Sequence, residues 1–268
     1  MNLEEFLIKD YTFIICDEHT PSIIKEATKY FKEGDFEITL GEQFGYEDEK
    51  FSNPTLDEMI ENPPKMPYSL LVKRNFKTLP NISTEDSIEH ENGMITKSYK
   101  RHVSLQNLEL QANQLMWDVG AGSGSVSIDG YKRYKIRSIM FEKNVKRAKM
   151  IETSLSMHKI VDTKLYIGEA SEDYKTETST PERIFVGGGG AKVICELDYL
   201  YERLAEGGIM VANFVTLEHL STAIQTLKSA NIDFDIKSIS LTTYKMKLQM
   251  PEPERVMHQI IVKKENNG

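Results

Sequence analysis

Cysteine is almost absent from this chain, with two residues, Cys16 and Cys195, in 268. They lie far apart and form no metal-ligand spacing, which excludes a disulfide framework and a cysteine-built metal site. Both read as buried thiols in a reducing compartment. Long apolar runs are missing as well. No stretch approaches the roughly 18 residues that span a bilayer, and the N-terminal MNLEEFLIKD is acidic where a secretory leader would be basic. The expectation is a cytoplasmic protein with no membrane partner. Positive charge is the third shortage. Lys plus Arg number 33 against 41 Asp plus Glu, a net charge of -8, so no global field draws a polyanion and nucleic acid is not expected as a partner. The six histidines, His19, His90, His102, His158, His219 and His258, are scattered through the sequence. They form no metal or nucleophile constellation and read as structural or exposed, so no metal is expected.

What is present is the balance of an ordinary soluble globular protein, long enough for one or two domains. YTFIIC (11 to 16), FEITL (36 to 40) and YSLLVK (68 to 73) read as strands, with a helix-like SIIKEATKYF after Pro21. Asn53-Pro54 and Asn62-Pro63-Pro64 read as loop. A polar, aperiodic stretch places a domain boundary between residues 75 and 92, giving a small α/β module over 1–80 and a larger domain over 81–268. In the second part a helical pattern runs from Ile95 to about Asn113. Apolar strands follow at 115 to 119, 136 to 141, 163 to 167, 183 to 186 and 208 to 214, mostly separated by helical patterns. That alternation predicts a parallel sheet with helices on both faces. Segments 234 to 241 and 256 to 263 lack an intervening helix and predict an antiparallel C-terminal edge.

The segment LMWDVGAGSGSVSI passes from an apolar strand through a glycine-rich turn into a helix. Gly120, Gly122 and Gly124 permit backbone angles and close approaches denied to other residues. A dinucleotide fingerprint would need glycine at 125, where Ser125 stands, so the match is to GxGxG. An open loop of this kind suits the amino-acid end of S-adenosylmethionine (SAM), with Asp118 placed to serve its ammonium. Glu142 ends the next strand, 18 residues after Gly124, where an acid grips ribose hydroxyls in nucleoside-binding folds. Glu169 and the Ala170 amide end the third, where they can meet an adenine edge. The three strand ends trace one extended nucleoside.

Enzymes that methylate exocyclic amines carry Asn/Asp-Pro-Pro-aromatic after the fourth strand. Here that strand ends IFVGGGG, so an amine finds no side chain to orient it. The strings GMITK (93 to 97), WDVGAGSGSVSI (117 to 128), FEKN (141 to 144), GEA (168 to 170), IFVGGGG (184 to 190) and GGIMVANFVTLE (207 to 218), in this order and spacing, resemble the decarboxylating precorrin C-15 methyltransferases of cobalamin biosynthesis. The resemblance implies a Rossmann-like class I SAM-dependent methyltransferase domain with a mostly parallel seven-stranded sheet. It also implies methyl transfer to carbon 15 of a precorrin-6-type tetrapyrrole, with loss of carbon dioxide from the acetate on carbon 12.

On the matching positions, the resemblance implies SAM contacts from Thr96, Gly120, Ala121, Gly122, Ser123, Gly124, Glu142 and Ala170. A flat polycarboxylate substrate needs a floor and fixed cations. Gly188 and Gly189 supply the floor, and Lys97 and Arg101, four apart on a helix beginning near Thr96, are the expected cations. Asn213, Thr216 and Glu218 follow the fifth strand as further polar candidates, with Thr216 also readable as a helix cap. No catalytic acid or base is assigned. Residues 1 to 74, with LGEQFGYEDEKFSNPTLDEMI, resemble the C-terminal part of the tetrapyrrole methylase for carbon 5, whose earlier half would come from a separate chain. A homo-oligomer, with a tetramer as the suggested form, is implied by the resemblance alone. Two other readings remain open: a SAM-dependent methyltransferase for RNA or another small molecule, and a non-catalytic SAM-binding subunit.

Overall fold

The protein is described by a computed structural model, over residues 10–29, 31–75, 83–91, 95–188, 190–245 and 250–265, the side chain of Lys245 excepted. The chain divides into two units, Met1–Pro80 with Leu155–Asp162, and Asn81–Ser154 with Thr163–Gly268.

In the first unit, β1 (Tyr11–Ile15), β2 (Phe36–Glu42), β3 (Lys50–Ser52) and β4 (Tyr68–Arg74) form an antiparallel sheet in the order β1-β4-β2-β3. Alternation buries Ile14, Ile38, Leu40, Leu70 and Val72 on one face. Helix α1 (Thr20–Ala27) starts where the Asp17 carboxylate accepts from the amides of His19 and Thr20, each at 3.0 Å. Helix α2 (Leu56–Glu61) lies in the region read as loop. Its start is a capping box, in which Thr55 Oγ1 accepts from the Glu58 amide at 3.1 Å and Glu58 accepts from the Thr55 amide at 2.8 Å.

The second unit begins with α3 (Ser98–Asn107) and continues β5 (Leu115–Val119), α4 (Ser125–Tyr134), β6 (Arg137–Glu142), α5 (Val145–His158) and β7 (Thr163–Ile167). The end of α5, from Leu155, falls in the first unit. Then come α6 (Ala170–Thr176), β8 (Arg183–Val186), α7 (Gly190–Ile194), α8 (Leu197–Arg203), β9 (Ile209–Phe214) and α9 (Leu217–Ser229). The chain closes with β10 (Asp235–Ile239), β11 (Thr242–Lys245), β12 (Met250–Pro253) and β13 (Met257–Lys263). The seven-stranded sheet has the order β10-β13-β9-β8-β5-β6-β7. The five central strands run parallel, and β13 and β10 add an antiparallel edge. This is the Rossmann-like architecture expected from the alternation of strands and helices. The hairpin β11–β12 between the last two sheet strands is an addition the sequence did not announce.

Strands β5 and β8 are buried at every position and β9 at all but Asn213, as expected of parallel strands covered by helices on both faces. Trp117, fully buried, meets Phe141 edge-on at 5.5 Å, and Phe141 stacks on Tyr166 at 5.3 Å. Truncating an aromatic so placed costs about 3–5 kcal/mol. The two cysteines differ from expectation in one respect: Cys16 is buried, but Cys195 is exposed, because it follows a short helix at the surface.

Candidate functional site

The first strand of the sheet, β5, has β8 on one side and β6 on the other. The strand order reverses there, which opens a crevice beyond the carboxyl ends of the strands. The glycine-rich loop leaves β5 into this crevice. Gly120, Gly122 and Gly124 all have positive φ, at 71°, 61° and 69°, a conformation that an L side chain enters only under strain. A Cβ on Gly122 would meet nothing nearer than the Gly120 carbonyl at 4.0 Å, so this position opens onto free space. A Cβ on Gly124 would press on Ile151 at 3.2 Å, so this position packs inward.

Glu142, at the end of β6, is 4% exposed and its carboxylate is divided between two amides. One oxygen accepts from Gly122 N at 2.8 Å and the other from Asn144 N at 2.9 Å. The Phe141 carbonyl accepts from the amides of Gly120 and Ala121, both at 3.0 Å. The second strand end therefore fixes the loop that follows the first. At the end of β8, a Cβ on Gly188 would come to 3.4 Å from the Gly120 carbonyl, so glycine there lets floor and loop touch.

A cavity of 750 Å³ opens over these strand ends. Of the residues expected at the cofactor and substrate sites, Thr96, Lys97, Gly120, Ala121, Gly122, Ser123, Glu142, Glu169, Ala170, Gly188 and Asn213 line it together. Gly189 lies outside the described residues. Gly124 sits behind the loop, and Asp118, Arg101, Thr216 and Glu218 do not line the cavity.

Each displacement has a local cause. Asp118 is 1% exposed and accepts from Ser127 Oγ at 2.7 Å. Burial pushes its carboxyl up to about 7 against the hydrogen bonds from Ser127, and the charge of Glu142 adds to the rise. Lys97 and Arg101 do not share a helix face, because α3 begins only at Ser98, with Lys97 as its extended N-cap. Arg101 is fully buried. Its Nε donates to Asp129 at 2.6 Å and its two terminal nitrogens to the carbonyls of Thr96 and Ser83. The helix start is served by Glu85, which accepts from Ser98 N at 2.7 Å, and not by Thr96. Thr216 caps α9, accepting from the His219 amide at 3.4 Å, and both it and Glu218 face solvent.

Several cavity residues had no signal in the sequence. Lys100, Lys143, Arg147 and Arg255 bring positive charge, and Glu254 and His219 add ionisable groups. Lys100 Nζ donates to the Arg255 carbonyl at 2.8 Å and pairs with Glu254 at 2.8 Å, holding the segment before β13 against α3. Lys143 pairs with Glu169 at 3.5 Å. Asn213 donates to Ser104 Oγ at 3.0 Å and accepts from Gln259 at 2.8 Å, so its amide is fixed. His219, read from the sequence as structural or exposed, is half-buried and lines the cavity. The local clue was its place in the first turn of the helix after β9. Among the described residues no group of three His, Cys, Asp or Glu could hold a metal ion, and no helix is long and apolar enough to cross a membrane.

The arrangement suits a zwitterionic nucleoside. The backbone of Gly120 to Gly122, the carboxylate of Glu142, and Glu169 with Ala170 at the next strand end all line the one cavity. The open space beyond Gly122 is the cradle such a ligand needs.

Comparison with known proteins agrees with this geometry. The family described as "Precorrin methyltransferase domain" matches residues 87–245. A probable cobalt-precorrin-6B C(15)-methyltransferase (decarboxylating) of Pyrobaculum calidifontis is 29% identical over 162 residues, covering 60% of this chain and 83% of that protein. The precorrin-6Y C(5,15)-methyltransferase [decarboxylating] of Sinorhizobium sp. is 31% identical over half of this chain, and the match spans only 32% of that longer protein. The crystal structure of a precorrin-6y C5,15-methyltransferase from Geobacter metallireducens superimposes with a TM-score of 0.65 at 29% identity, covering 69% of this chain and 99% of that one. By a match over more than half its length, together with this fold and cleft, the chain belongs to the precorrin methyltransferase domain family.

Proposed function

We propose that this chain transfers a methyl group from SAM to carbon 15 of a precorrin-6-type macrocycle and removes the carboxyl group of the acetate on carbon 12 as carbon dioxide. The observation that carries the proposal is the union, in one cavity, of the Glu142-braced glycine loop with a glycine floor and several cationic side chains. The names of the relatives agree with it.

Bound at the glycine loop, SAM supplies an electrophilic methyl group on a sulfonium. Thr96, Gly120 to Ser123, Glu142, Glu169 and Ala170 are the residues that would hold it. The substrate side belongs to Lys97, Arg255, Gly188 and the fixed amide of Asn213. The cations suit the peripheral carboxylates, and the amide is pre-oriented for a polar edge of the ring. The conjugated macrocycle itself makes carbon 15 nucleophilic, so the protein's contribution is to align acceptor carbon, methyl and sulfur.

The first eighty residues, which resemble part of a tetrapyrrole methylase, are the proposed attachment point for a separate carbon 5 methylase chain, and co-purification from the source cell tests that association. A cytoplasmic homo-oligomer, a tetramer in form, completes the proposal. Its stoichiometry is read by sedimentation.

The direct test is incubation of the purified chain with SAM and a precorrin-6B-type tetrapyrrole, metal-free and cobalt-bearing in parallel, followed by mass spectrometry. The expected product has gained one CH2 and lost one CO2. SAM binding without change in the tetrapyrrole would overturn the enzymatic reading and leave a SAM-binding subunit.

A further inference from the structure

Loss of carbon dioxide from an acetate arm leaves an electron pair that must end on a proton, and the reaction proposed for this chain names no donor. Assigning one rests on that reaction being the chain's own. The cavity's ionisable side chains can be sorted by what already holds them. Both oxygens of Glu142 accept from backbone amides, Glu169 pairs with Lys143, and Glu254 pairs with Lys100. Arg147 faces Glu91 at 3.8 Å, and an arginine does not release its proton. Lys97 lies in the field of Glu85. His219 differs from all of these. Its backbone amide is bound to Thr216, but its imidazole has no hydrogen bond or ion pair among the described residues, and it is half-buried at the cavity wall. Imidazole is also the side chain that both holds and gives up a proton near neutral pH.

Its place in the fold is equally selective. The glycine loop follows β5 and His219 follows β9, with β8 and its Gly187-Gly188 floor between them. Two strand spacings, on the order of 10 Å, separate the two strand ends. A flat macrocycle on the floor can thus present one carbon to the methyl donor and an acetate arm to the histidine.

We infer that His219 is the catalytic acid of the decarboxylation. The bond between the acetate methylene and its carboxyl carbon breaks, and carbon dioxide departs. The electron pair of that bond stays on the methylene carbon, delocalised into the conjugated ring system. The imidazolium N–H gives that carbon its proton, leaving a methyl group and a neutral imidazole that solvent reprotonates.

The test is a single-turnover reaction of the wild type, His219→Gln and His219→Ala with SAM and a precorrin-6B-type substrate, with both products resolved by mass spectrometry. Calorimetric SAM binding serves as the control for folding. The ratio of decarboxylation to methylation is expected to fall about 100-fold in either variant, the usual contribution of a general acid. A methylated species that keeps its carboxylate should accumulate, and added imidazole should restore its decarboxylation in His219→Ala. An unchanged ratio, or equal loss of both steps without rescue, overturns the assignment of His219. A wild type that binds SAM and performs neither step instead overturns the proposed function, and the assignment falls with it.

Discussion

Arg101 and Asp129 form a buried ion pair at 2.6 Å, and the same guanidinium reaches the carbonyl of Thr96 at the cavity wall. Asp129 completes the bracket by accepting from Ser83 N at 3.0 Å, and Lys132 Nζ donates to Ser83 Oγ at 3.1 Å. An arginine that looks from sequence like a carboxylate clamp is thus a brace for the residue that lines the site.

Removing one partner of such a pair leaves an uncompensated buried charge, which costs about 3–5 kcal/mol. Arg101→Met is therefore expected to lose that much stability in urea denaturation. Unaltered stability with weakened substrate binding would return Arg101 to the role the sequence suggested.

The three left-handed glycines separate into an outward and an inward position. Gly122→Ala is expected to fold, at a backbone cost of about 1–3 kcal/mol, and to bind SAM poorly because its new methyl points into open cavity. Gly124→Ala meets Ile151 as well as the same backbone strain. Thermal melts should place it below Gly122→Ala, and the reverse order would contradict this account of the loop.

Asp118 makes stability depend on pH. Its folded-state value of about 7 lies above the ordinary carboxylate range because the group is buried. The folded state therefore holds the proton more tightly than the unfolded chain. The resulting stability is fully present below the unfolded value near 4 and is lost as pH rises through about 7, at about 1.4 kcal/mol per unit. Denaturation from about pH 5 to about pH 8 should show a steeper decline in the wild type than in Asp118→Asn. Parallel profiles would place the Asp118 carboxyl elsewhere on the scale.

Lys100 ties the Glu254-Arg255 segment to α3 through two contacts of 2.8 Å. Lys100→Met should raise KM for the tetrapyrrole several-fold while leaving SAM affinity unchanged, because the segment borders the cavity away from the glycine loop. Steady-state kinetics at saturating SAM decides this, and equal effects on both ligands would contradict it.

The sheet was readable from the sequence because its central strands are short apolar runs ended by chemistry-bearing residues: Val119 before the glycines, Phe141-Glu142, and Val186 before the glycine run. The helix Leu56–Glu61 was overlooked beside its prolines, although Thr55 and Glu58 spelled a capping box. The hairpin β11–β12 had no comparable signal, since its residues are exposed and carry no apolar alternation. Cofactor-side residues were legible because they sit at strand ends, where position follows from the alternation itself. The substrate side was not. Whether Arg101 faces the cavity or Asp129, and whether His219 lies on the wall, depends on where α3 and α9 start relative to the sheet, and a one-residue change in a helix start turns a side chain by about 100°.

The 2.8 Å hydrogen bond from Gly122 N to Glu142 joins the second strand end to the glycine loop and shapes the cofactor side of the cavity. Calorimetric titration of SAM into the wild type, Glu142→Gln and Glu142→Ala tests it directly. The wild type should bind, Glu142→Ala should bind at least about tenfold more weakly, a loss of about 1.4 kcal/mol, and Glu142→Gln, which keeps one acceptor oxygen, should fall between. Equal affinity in all three, or no binding by the wild type, would contradict the cofactor site and everything built on it.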